Sequence, residues 1–69
     1  MPNLRTVSGV ETIKALERLG FRQVRQRGSH IVLRRDEPFA QVVVPNHKEL
    51  DPGTLREIID QSGLIVRPL

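Results

Sequence analysis

Two helix-start signals bracket the middle of this 69-residue chain, and the stretch between them alternates in the manner of a sheet. The first signal is Ser8-Gly9-Val10-Glu11. It has the form of a capping box, in which the serine hydroxyl satisfies an orphan helix N–H and the glutamate reaches back to the N-cap. Val10, Ile13, Leu16 and Leu19 follow at helical spacing, with Glu11, Lys14, Glu17 and Arg18 on the other side. Gly20 can take the left-handed conformation that ends helices, so a helix is expected over Gly9 to Leu19. The second signal is Asp51-Pro52-Gly53-Thr54, with Asp51 as N-cap and Pro52 at the first helical position, where no N–H is needed. Leu55, Ile58, Ile59 and Ser62 share one face of that helix, and Gly63 stops it. Leu64 to Leu69 is expected to be a tail that packs locally.

Between the helices, Phe21 to Arg27 reads as a polar strand centred on Val24, and Gly28-Ser29 as a tight turn. His30 to Arg35 is a second strand, in which Ile31, Leu33 and Arg35 alternate with His30, Val32 and Arg34. Asp36-Glu37-Pro38 breaks it. Ala40 to Val44 is a third strand, whose run Val42-Val43-Val44 suits full cover on one face and partial cover on the other. Pro45 ends it, and Asn46 to Leu50 forms a loop. Short turns imply an antiparallel meander. Each helix offers a single apolar stripe, so both are expected on one face of the sheet, leaving the other open. The expected class is α+β, in the order α-β-β-β-α, like a double-stranded-RNA-binding domain. Residues 1–69 form one domain, because a chain this short buries only about 60% of its unfolded surface and has no material for a second core.

Composition narrows the setting. Cysteine is absent, so no disulfide or thiolate metal site supports the core. No apolar run approaches the roughly 20 residues that cross a bilayer, and Met1 to Thr6 lacks the apolar stretch of a signal peptide. A cytoplasmic protein without a membrane partner is expected. Charge is unevenly distributed. The formal net charge is +3, and from Phe21 to Arg35 stand Arg22, Arg25, Arg27, Arg34 and Arg35 with no acid among them. Arginine grips phosphate through a planar fork, so this segment suits a polyanion; a solvated strand face is the competing reading.

His30 and His47 are the only side chains whose ordinary pKa lies near neutrality. Arg25-Gln26-Arg27-Gly28-Ser29-His30 gathers cations, a hydroxyl, amide donors and an imidazole at one turn, and Gly28 leaves room for a phosphate backbone to approach. With Ile31 and Leu33 facing the core, His30, Val32 and Arg34 share the open face. That set suffices in kind for RNA cleavage. The substrate brings its own nucleophile, the 2′-hydroxyl, and imidazole can move a proton for about 10²–10⁴-fold. Arginines can stabilise the developing phosphorane charge. His30 is the candidate general acid or base. Arg25, Arg27 and Arg34 are the candidates to bind phosphate and Ser29 to position a phosphate oxygen; His47 is a candidate helper, although its loop position between Pro45 and Lys48 favours a solvated or helix-capping role. No metal, cofactor or small-molecule ligand is expected. Ser29 has no aspartate placed to support it as a nucleophile. With only Phe21 and Phe39 as aromatics, a sheet of base-stacking rings is not expected. A non-catalytic RNA-binding module and a protein-docking module remain open on these residues alone.

Together, Leu16-Glu17-Arg18-Leu19-Gly20-Phe21, Gly28-Ser29-His30, Val44-Pro45-Asn46-His47 and Pro52-Gly53-Thr54-Leu55 resemble, in order and spacing, the HicA (YcfA-like) toxins of bacterial and archaeal toxin–antitoxin systems. The resemblance covers about Val7 to Leu64. It implies a double-stranded-RNA-binding-domain-like fold, mRNA interferase activity and neutralisation by a HicB-type antitoxin. It also implies that His30, in the Gly-Ser-His motif, is the catalytic histidine, and that Pro45 and His47 belong to a second motif.

Overall fold

The structure, a computed structural model, describes residues 7–63. The expected packing of Leu64 to Leu69 and the reading of Met1 to Thr6 lie outside the described residues. The order is α1 (Gly9–Arg18), β1 (Arg22–Arg27), β2 (His30–Asp36), β3 (Phe39–Pro45) and α2 (Pro52–Ser62).

Both helix starts form as their sequences dictate. The Ser8 hydroxyl accepts from the Glu11 N–H at 3.0 Å, and the Ser8 N–H donates to the Glu11 carboxylate at 3.0 Å. Asp51 accepts from the Thr54 N–H at 2.7 Å, with Pro52 opening α2 and Gly63 closing it at φ 75°. The apolar stripe of α1 differs from expectation. Ile13 and Leu16 are buried, but Val10 is 50% and Leu19 45% exposed, and Gly9 and Thr12 take the inner positions instead. A string of i, i+3 steps drifts about 60° per step around a helix of 3.6 residues per turn, so its two ends swing out of the contact. Leu19 falls at the C-cap, one residue past the last helical position.

The three strands form one antiparallel sheet in the order β1-β2-β3. Ile13 and Leu16 of α1, Ile58 of α2, Ile31 and Leu33 of β2, and Ala40, Val42 and Val44 of β3 make one core with Phe21 and Leu50. Both helices therefore cover the same sheet face, over β2 and β3, while every residue of β1 is exposed. The strands differ slightly from expectation: Phe21 is a buried residue ahead of β1, β2 reaches Asp36, and β3 runs from Phe39 to Pro45. Arg35 points to the covered face, as alternation requires. Its guanidinium lies 4.6 Å from the Phe21 ring centroid and donates to the Ser62 carbonyl at 3.2 Å, near the C-terminus of α2. A cation is favoured at that end of a helix.

Candidate functional site on the open sheet face

Register decides which side chains meet on the open face, because residues directly opposite in an antiparallel pair point to the same side. His30 lies opposite Arg27 on one flank and Pro45 on the other. The next row is Arg25, Val32 and Val43, and the next Arg22, Arg34 and Gln41, followed by Asp36 opposite Phe39. His30, Ser29, Arg25 and Arg27 are exposed, and Arg34 is half-buried.

Arg22, Arg25 and Arg27 could not share a face in a regular strand, since alternation would turn Arg22 away from the other two. A β-bulge resolves this. Gln23 pairs with Leu33 and Arg25 with Val32, so Val24 is the extra residue and the parity of β1 changes there. The bulge turns Arg22 onto the open face with Arg25, Arg27 and Arg34. Arg22 was not among the expected site residues. Its spacing from Arg25 hides the shared face unless the bulge is known. Asp36 partly offsets this charge, with its carboxylate 3.0 Å from Arg22 Nη1 and 3.8 Å from Arg34 Nε.

The two histidine motifs meet at one end of the sheet. Gly28 has φ 57°, in the left-handed region a two-residue hairpin turn needs, and no atom lies within 4 Å of where its Cβ would be. The Gln26 side-chain amide braces the turn by donating to the Gly28 carbonyl at 2.9 Å. The Asn46 N–H donates to the Ser29 carbonyl at 2.6 Å, joining the Gly-Ser-His turn to the Val-Pro-Asn-His segment. The His47 N–H donates to Pro45 O at 2.9 Å, and its carbonyl accepts from the Gly9 N–H at 2.8 Å. Leu50 N–H adds a bond to Val7 O at 2.8 Å. The backbone of the His47 loop is thus held between the turn that opens β2 and the start of α1, with its imidazole-bearing residue exposed.

Gly9 makes that clamp possible. A Cβ there would collide with the Pro45 carbonyl oxygen and stand 3.0 Å from Asn46 Cα and 3.1 Å from His47 N. In the sequence Gly9 looks only like a variable position in a capping box; its real constraint is the loop laid across it. Among the described residues, no group of three or more His, Asp or Glu side chains is placed to hold a metal ion.

A family model for the HicA toxin of bacterial toxin–antitoxin systems matches residues 9–64. The chain belongs to the HicA toxin family. That match spans the Gly-Ser-His turn, the Val-Pro-Asn-His segment and both helices, so the clamped end of the sheet lies within the matched residues. A toxin of such a system has an antitoxin as its partner. Neither a curated protein nor a solved structure matches the chain. None of the described helices is long and apolar enough to cross a membrane.

Proposed function

We propose that this toxin is an endoribonuclease that cleaves mRNA in the cytoplasm as a single domain, and that a HicB-type antitoxin neutralises it. The observation that carries the reading is the register around His30. His30 is exposed on a face that also bears Arg22, Arg25, Arg27 and Arg34. RNA lies along that face with its phosphates against the guanidinium groups. The ribose 2′-oxygen attacks the adjacent phosphorus and loses its proton. The bond from phosphorus to the 5′-oxygen breaks, and that oxygen takes up a proton, leaving a 2′,3′-cyclic phosphate and a 5′-hydroxyl. His30 performs one of the two proton transfers. His47, held beside Pro45 by the loop hydrogen bonds, is the candidate for the other. Arg27, opposite His30, and Arg25 neutralise the charge that develops on phosphorus, with Arg34 along the same face. Ser29 orients a phosphate oxygen.

The test is substrate chemistry. Purified protein should cut a single-stranded RNA to cyclic-phosphate and 5′-hydroxyl ends, and should leave DNA of the same sequence intact. Equal cutting of the DNA would refute a 2′-hydroxyl nucleophile. RNA binding without cutting would leave a binding module in place of the enzyme.

A further inference from the structure

We infer that Phe39 is a nucleobase platform, a second binding site on the open face that holds a base of the RNA several nucleotides from the cut; this rests on the endoribonuclease reading. Phe39 is one of two aromatic residues in the chain. The other, Phe21, is buried under Arg35, whereas Phe39 is 68% exposed, more than any other large hydrophobic residue among those described. It is also on the same face as His30, because Asp36 lies opposite Phe39 and both follow the parity of His30, Val32 and Arg34.

The arrangement around the ring fits a base. Flat aromatic rings stack on any base, and hydrogen-bonding groups beside them read its edge. Asp36 stands directly across from Phe39, and Gln41 is two positions along β3 on the same face. A carboxylate, held 3.0 Å from Arg22, and an amide therefore share the open face with the ring. Pro45, opposite His30, is six residues from Phe39 along β3, a separation of roughly 20 Å at about 3.3 Å per residue. Arg22, Arg25, Arg27 and Arg34 line the way between, so a bound strand reaching from His30 to Phe39 has cations along its path. That charge favours RNA over an apolar or basic protein segment as the occupant.

The test compares two substrates. A pool of ribodinucleotides reaches His30 but not Phe39; a randomised single-stranded RNA spans both. Phe39→Ala should lower kcat/KM on the long RNA by about 5- to 150-fold, the range for losing one base stack, and leave the dinucleotides unchanged. Phe39→Leu, which keeps apolar bulk without the ring, should fall with alanine rather than with wild type. The ring is exposed, so neither change opens the core. Equal cleavage of the long RNA by wild type and Phe39→Ala overturns the platform while leaving the nuclease intact. So does a variant defective only in antitoxin binding. If the wild type cuts nothing, the nuclease reading fails, and affinity for the long RNA decides the platform: weaker binding by Phe39→Ala supports it, equal binding or none by the wild type overturns it.

Discussion

Replacing one hydrogen of Gly9 by a methyl group asks how firmly the His47 loop is held. Alanine is a better helix former than glycine, and Gly→Ala at a compatible position stabilises by about 0.4–1 kcal/mol. Gly53 is such a position. It lies in the first turn of α2, its φ is not positive, and the nearest atom to an added Cβ is an Asp51 carboxylate oxygen at 3.9 Å. Gly9 lies in the first turn of α1, but its Cβ would meet the backbone of Pro45, Asn46 and His47. Backbone cannot step aside by changing rotamer, so overpacking should cost about 1–3 kcal/mol. The same propensity gain applies to both variants, so their difference isolates the collision. At about 4–8 °C per kcal/mol for a domain of this size, Gly9→Ala should melt roughly 4–24 °C below Gly53→Ala. Thermal melts followed by circular dichroism read this directly, with Gly53→Ala at or above wild type. If the two variants melt together, the loop yields freely and α1 does not clamp it. The nuclease reading adds a consequence: Gly9→Ala should also cut RNA more slowly below its melting range, because relieving the collision moves the segment that carries His47.

Three further outcomes follow from charge. The Thr54 backbone N–H, and then its side chain, hold the Asp51 carboxyl below its ordinary value of 3.8. A lowered folded pKa means the stabilisation is fully present above 3.8 and is lost as pH falls through the folded value. Acid melts should show Asp51→Asn, which still caps the helix, losing less stability than wild type between neutral and strongly acidic pH; parallel losses would count against this cap as a source of acid sensitivity. Replacing Arg25, Arg27 or Arg34 with Gln should flatten the slope of log affinity for single-stranded RNA against log salt by about 0.7 for each phosphate no longer neutralised. Arg35→Gln should leave that slope alone and lower the melting temperature instead, since Arg35 serves Phe21 and the end of α2.

The elements legible in the sequence are those whose causes are local. Ser8 with Glu11, Asp51 with Pro52, and Gly63 each carry their reason within one helical turn. The alternation of Ile31 and Leu33 assigns the faces of β2 without knowledge of its neighbours. What escaped depends on residues far apart in the chain. The bulge at Val24 exists because β1 pairs with Leu33 and Val32 out of step, and nothing within Arg22–Arg27 announces it. The constraint on Gly9 comes from Pro45 to His47, and the exposure of Val10 and Leu19 from where the helix meets the sheet. Phe39 precedes the strand expected from Ala40; its inclusion in β3, paired with Asp36, is what assigns it to the open face. The candidate site follows the same division. His30 and its turn are marked by a compact motif, while the approach of the Val-Pro-Asn-His segment to that turn needs the hydrogen bond between Asn46 and Ser29.

Whether His30 moves a proton in RNA cleavage is decided by cleavage of a long mRNA in EDTA, wild type beside His30→Ala. His30 is exposed, so the substitution should leave the melting temperature nearly unchanged, and matched melts should accompany the assay. Wild type should cut, and the variant should be slower by about 10²–10⁴-fold, the usual contribution of a positioned proton-transfer group. Equal cutting by two folded proteins would contradict the assignment of His30.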